Sequence, residues 1–259
     1  MLTDQHSFYA TMLVPVVMAA VSESGLHDEA QKRARVLLKE WDTNLSADSE
    51  AASVFEFFRM SFAEELLSDN LGELFYLLPA VYRDYYIYRI IMAGPDKWVD
   101  RTETAEFETL NEIIETAFVK AVAKLERHVA EKGLDDWQWG GIHTFRLDHP
   151  MGSVKILDRL FGLNSEPRPI GGSYHTVSPY SYGSNFVVNN GASQRHIYNT
   201  ADWDASWSII PTGNSGVPGT PFYLSQTDTY LAGGIYPDHF SEGAVKANAR
   251  QTLKLSPLK

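Results

Sequence analysis

The chain changes its hydrophobic period near residue 135, and that switch limits the fold more than any other feature of its 259 residues. Ahead of it, apolar residues recur at three- and four-residue steps, the spacing of one buried helix face. Beyond Trp139 the sequence fills with Gly, Pro, Ser, Asn and Tyr, and apolar residues alternate in short runs. Helices followed by strands specify an α+β class, with a helical region over 1–135 and a β-rich region over 136–259 forming one structural unit. A composition of 44% hydrophobic and 21% charged residues suits a chain that buries a substantial core.

The first 40 residues read as two helices separated near Ser22–Gly25. In Ala51–Leu66 a stripe of Ala51, Val54, Phe55, Phe58, Phe62 and Leu66 marks a third, with Asp48 or Ser49 at its start. A fourth covers Ala80–Met92, with Pro79 in its first turn and Gly94-Pro95 stopping it. The longest runs from Thr104 to Lys132, its inner face drawn from Phe107, Leu110, Ile114, Phe118, Ala121, Leu125 and Val129, and Gly133 lies just past its end. In the second region Asn185–Asn189, Gln194–Asn199 and Ala205–Ile210 read as strands. Asn189-Asn190-Gly191 is expected to turn the first into the second. One helix is expected there, capped by Thr220, opened by Pro221 and closed by Gly233-Gly234. Val245–Leu255 reads as a last strand.

A net charge of −11 and a pI near 5.1 repel phosphate backbones and anionic lipid, which argues against nucleic-acid and membrane partners. With no cysteine there is no disulfide, thiolate metal site or cysteine nucleophile, and the compartment stays open. Met12–Val21 is the most apolar early stretch. It is too short to span a bilayer, follows no basic residue and contains Pro15, so it reads as a buried helix rather than an export signal.

His143 and His149 flank HTFRLDHP, with Asp148 beside the second. Their six-residue spacing does not place two ligands on one helical face, and no third ligand stands nearby, so structural hydrogen bonding is expected and no metal. Ser215 in Gly213-Asn214-Ser215-Gly216 has a glycine two residues before it but Val217 two after, where a nucleophile elbow needs glycine; a tight turn is expected instead. Asp42, Asp148, Asp202, Asp204 and Glu242 carry no spacing that marks a catalytic pair. These residues alone name no reaction.

Taken in order, however, several segments resemble the penicillin acylases, amide hydrolases of the N-terminal nucleophile class. Leu13-Val14-Pro15 is similar to the pattern of an early family helix, and Lys39-Glu40-Trp41-Asp42 to the Trp-Asp ending of the next. Asp136-Trp137-Gln138-Trp139-Gly140, His143 and His149-Pro150 resemble Trp-x-Trp-Gly-x-x-His…His-Pro. Gly171-Gly172 with Thr176-Val177 resembles Gly-Gly…Thr-Val-Asn, with Ser178 for asparagine. Gly191-Ala192-Ser193-Gln194-Arg195 resembles Gly-x-Ser-x-Arg, and Gly213-Asn214-Ser215-Gly216 resembles Gly-Gln-Ser-Gly. Thr220-Pro221-Phe222-Tyr223 with Gln226, then Gly234-Ile235-Tyr236-Pro237, close the series.

The resemblance implies strands of an αββα sandwich and a precursor that cuts itself into α and β chains. The nucleophile would be the serine at the new N-terminus of the β chain, with its own α-amine as base. The oxyanion donors would lie in that chain's earlier part. None of these maps onto a residue here, so this chain reads as the C-terminal part of a β-subunit without catalytic residues. One position is expected to face the site: Asn199, where relatives often carry an acid, and asparagine brings no charge to steady an imidazolium. No cofactor is implied. The implied partners are the α-subunit and the N-terminal part of the β-subunit, or a second copy, with a small amide substrate only in the complete enzyme. The alternative reading is a standalone binding or structural protein derived from the same fold.

Overall fold

The computed structural model describes residues 2–95, 98–100 and 104–257. It is α+β, and the chain forms two compact units. The first unit holds residues 3–146 and 167–191; the second holds 147–166 and 192–259.

The first unit is built on helices α1 (Phe8–Ala20), α2 (Glu29–Glu40), α3 (Glu50–Leu71), α4 (Leu74–Leu77), α5 (Ala80–Ala93), α6 (Leu110–Lys132) and α7 (Trp139–Ile142). Helix α3 is its axis. Every residue from Ala51 to Phe58 is buried, so this helix is enclosed on all sides rather than along one stripe. Ser49 caps it by accepting from the Ala52 N–H. Helix α6 packs alongside through Ile114, Phe118, Ala121 and Leu125, all buried. Its start differs from expectation. It begins at Leu110 rather than near Thr104, with Thr109 as its cap, because Thr109 and Glu112 satisfy each other's backbone N–H in a reciprocal box. Phe107 therefore precedes the helix and is exposed. Gly133 ends α6 at φ +64°, as its position requires. In α5, Pro79 stands at the cap rather than inside the first turn, and Gly94 terminates it.

Two small antiparallel sheets complete this unit. Strand β1 (Thr144–Phe145) pairs with β2 (Arg168–Pro169), and β3 (Tyr180–Tyr182) pairs with β4 (Val188–Gly191). The expected turn at Asn189-Asn190-Gly191 does not form. Those residues lie in β4, and the chain reverses earlier, at Gly183–Val187, where Phe186 adopts φ +59° with its ring buried against Phe57 at 4.8 Å. Burial of that aromatic ring outweighs the local turn preference of Asn-Gly.

The second unit contains α8 (Lys155–Phe161), a three-stranded antiparallel sheet β5–β6–β7 (Arg195–Ile197, Ser206–Ile209, Tyr236–Asp238), α9 (Thr227–Leu231) and α10 (Glu242–Asn248). The expected helix from Thr220 is shorter. Gln226 donates its backbone N–H to Thr212 and accepts from the Ile210 N–H through Oε1, which pins the preceding segment in turns and delays the helix to Thr227. Its end at Gly233, φ +76°, agrees with expectation. The last expected strand is instead α10. Ser241 caps it, Glu242 and Lys246 pair at 2.5 Å one turn apart, and residues 249–257 follow without regular structure. No described helix is long and apolar enough to cross a membrane.

Candidate functional site

Most residues singled out by sequence prove to be fastenings. The His143 Nδ1 lies 2.9 Å from the Phe186 carbonyl, which can only accept, so Nδ1 carries the proton. The ring stacks on Trp139 at 4.7 Å, and burial pulls its pKa down to about 4, against the opposing pull of that hydrogen bond and of Glu56. In the second unit, His149 Nδ1 accepts from the Met151 N–H and caps a short turn of 3-10 helix. Among the described residues no group of three His, Asp or Glu side chains could hold a metal ion.

Ser215 accepts from the Val217 N–H through its hydroxyl and donates its backbone N–H to Phe222. Gly213 is obligatory there, since a Cβ would stand 2.0 Å from the Phe222 oxygen. The Gly-Asn-Ser-Gly run is thus a turn. The candidate acids behave alike: Asp42 accepts from the Asn44 N–H, and Asp202 from the Asp204 N–H. Asp204 accepts from the Phe240 and Ser241 N–H groups, which with the Ser241 hydroxyl hold its pKa below the usual carboxylate range. Asn199 is exposed at the end of β5. Its Oδ1 accepts from the Ala201 and Asp202 N–H groups, closing a turn.

The family-like motifs share this character. The Trp139 indole donates to the Gly172 carbonyl, and a Cβ on Gly140 would meet Ala47 at 2.8 Å and Pro169 at 2.9 Å. In the second unit the Arg195 guanidinium lies 4.1 Å over the Tyr230 ring and donates to the Tyr230 carbonyl, while the Tyr230 hydroxyl donates to Ala192.

Sequence reasoning missed the densest polar cluster, which lies inside the first unit. Glu56 and Arg59, on α3, are 0% and 3% exposed. Arg59 Nε donates to Glu56 Oε2 at 2.8 Å, and Nη1 donates to both oxygens of Asp84, on α5, at 2.9 Å. The Tyr182 hydroxyl donates to Glu56 at 2.5 Å and accepts from Arg59 Nη2 at 3.0 Å. His175 Nε2 meets Asp84 Oδ2 at 3.1 Å, and its ring stacks on Tyr9 at 4.5 Å. Burial alone would raise both carboxyl pKa values, yet Arg59 overcomes it and holds each below the ordinary range. Burial and the Glu56 charge push the Tyr182 hydroxyl far upward, so it remains a donor.

The His175–Asp84 pair has the geometry of an oriented base, but among the described residues no hydroxyl hydrogen-bonds the His175 ring. The cluster joins α3, α5 and the 174–182 segment and holds their charges in place. It borders a pocket of about 560 Å³. The one signal in the sequence was an acid and a base three residues apart inside a run of phenylalanines.

A family model described as penicillin amidase matches residues 1–247. Relatives include "Penicillin acylase 2 proenzyme" of Pseudomonas sp. (strain SE83), 29% identical over 131 residues, which cover 50% of this chain and 17% of that protein. "Acyl-homoserine lactone acylase QuiP" of Pseudomonas putida (strain KT2440) is 26% identical over 215 residues, covering 76% of this chain and 25% of that protein. The same enzyme of Pseudomonas syringae pv. syringae (strain B728a) is 25% identical over 234 residues, covering 85% and 28%. The chain therefore matches only 17–28% of the length of these relatives. With the model covering nearly all of the sequence, the chain belongs to the penicillin amidase family.

Proposed function

We propose that this chain is the scaffold-forming C-terminal part of an acylase that hydrolyses the side-chain amide of penicillin-like or other N-acyl substrates, and that the nucleophile belongs to another part of the enzyme. The observation that carries this reading is the engagement of its polar groups. His143 and His149 are bound to backbone, Ser215 and Asn199 close turns, and Asp84 is held by Arg59 and His175. No hydroxyl is held by an imidazole among the described residues, as serine activation by histidine would need. The relatives named as acylases supply the reaction class.

The enzyme's remaining segments, or a second copy, would associate with exposed apolar surface. On α5, Val81, Tyr82, Tyr85 and Met92 face outward at helical spacing; in the second unit, Ile156, Leu160 and Phe161 of α8 do the same. The test is turnover of a chromogenic phenylacetamide by the 259-residue chain and by the complete acylase encoded with it. The expected result is hydrolysis by the complete enzyme alone. Turnover by the chain alone, lost on Ser215→Ala or His175→Ala, would refute the proposal.

A further inference from the structure

Helix α5 carries an apolar seam that no described residue covers. Val81, Tyr85, Tyr88 and Met92 recur at four-, three- and four-residue steps, so on the helix they stand in one row roughly 16 Å long. The opposite face turns inward, with Asp84, Ile87 and Ile90 buried. Val81 and Met92 are each 62% exposed, Tyr85 66% and Tyr88 36%. Tyr82 borders the row and is equally open. The Tyr85 and Tyr88 rings stack with centroids 6.4 Å apart and planes at 27°, which gives the middle of the row a fixed aromatic surface. No charged side chain interrupts it. Arg89 stands to one side, its guanidinium over the Tyr86 ring at 5.0 Å.

Composition, size and order together identify the occupant. Tyrosine and methionine are enriched, and charges depleted, in the cores of protein–protein interfaces. These five side chains leave roughly 500–700 Å² open, against the roughly 800 Å² per partner of a stable interface. Two such faces together therefore reach the lower end of specific interfaces, the size of a reversible dimer. The order of the row is decisive. It reads aliphatic, aromatic, aromatic, aliphatic at steps of four, three and four, and is the same from either end. A two-fold interface requires that symmetry, because one patch must fit itself after reversal. Alternating three- and four-residue steps are also the seam along which helices pack side by side. The exposed Ile156, Leu160 and Phe161 of α8 lack this symmetry and share a seven-residue helix with Asp158 and Arg159.

We propose that two copies of this chain dimerise through α5, antiparallel about a two-fold axis between Tyr85 and Tyr88. Tyr85 of each copy meets Tyr88 of the other, and Val81 meets Met92. The proposal takes the second copy, rather than the enzyme's remaining segments, as the occupant of α5. It stands on this row alone and does not depend on the amidase reading.

Sedimentation velocity of the chain over a concentration series reaching about 100 μM tests it. The expected result is a monomer–dimer equilibrium. Tyr85→Glu, which sets two like charges beside the axis in an apolar seam, weakens dimerisation by about 100-fold or more, while Ile156→Glu on α8 leaves it unchanged. Both positions are exposed, and melting temperature reports that each variant is folded. The chain has no cysteine, so single-cysteine variants read the orientation directly. Under oxidation by diamide, Val81→Cys mixed with Met92→Cys forms a crosslinked pair. Val81→Cys alone does not, because its two copies lie roughly 16 Å apart along the helices, beyond the reach of a disulfide. A monomer throughout the series, a dimer that survives Tyr85→Glu, or efficient crosslinking of Val81→Cys with itself would overturn the proposal.

Discussion

At the scale of single residues, Arg59 decides the stability of the first unit's interior. Its one guanidinium serves two carboxylates and a phenol that are otherwise enclosed by aromatic rings. Arg59→Met would leave Glu56 and Asp84 buried without their counter-charge, at a cost of about 3–5 kcal/mol. Tyr182→Phe removes one donor to Glu56, which keeps its bond to Arg59, and should cost about 1–3 kcal/mol. Urea unfolding of the two variants checks that order. His143 adds a dependence on pH. Its pKa falls from the ordinary 6.5 to about 4 in the folded chain, so the unfolded chain takes up the proton first. Stability is full above pH 6.5 and is lost as pH falls toward 4, by about 3 kcal/mol. Glu56 and Asp84 act in a lower window, their contribution lost as pH falls through their depressed folded values. His143→Gln should flatten the upper slope in unfolding curves and leave the lower one. These partners were beyond the reach of sequence reasoning for a plain reason. Asp84 is 25 residues from Arg59, and Tyr182 is 126 from Glu56, so no local spacing links them.

At the scale of elements, legibility followed the length of the apolar period. Helices α3, α5 and α6 run over three turns or more and stand close to where the sequence expects them, although α3 is buried all round rather than along one stripe and Phe107 falls outside α6. Short segments were decided by partners out of view. Residues 189–191 gave up a turn to pair with β3, and 242–248 became a helix through its Ser241 cap and the Glu242–Lys246 pair. Glycines divide along the same line. Gly133→Ala meets no atom within 4 Å and suffers only from its positive φ, about 1 kcal/mol. Gly213→Ala would drive a methyl into the Phe222 carbonyl, so the turn itself must open. Thermal melts of the two variants should therefore separate clearly, with Gly213→Ala the lower.

At the scale of the whole molecule, family membership was readable from the order of motifs along the chain, and several of those motifs fix packing contacts. Trp139 on Gly172, Gly140 against Ala47 and Arg195 on Tyr230 are such contacts. The same contacts explain why the motifs named a family without naming a catalytic residue: their side chains are spent on structure. Asn199, too, uses its side chain to close a turn. The central claim, that this chain belongs to an amidase but leaves the nucleophile to another part of it, is open to one direct measurement. A slowly released acylating substrate analogue is added to the complete enzyme, and intact-mass spectrometry locates the adduct. The account predicts an unmodified mass for these 259 residues and the adduct on the N-terminal residue of another segment. A stoichiometric adduct on this chain would contradict it.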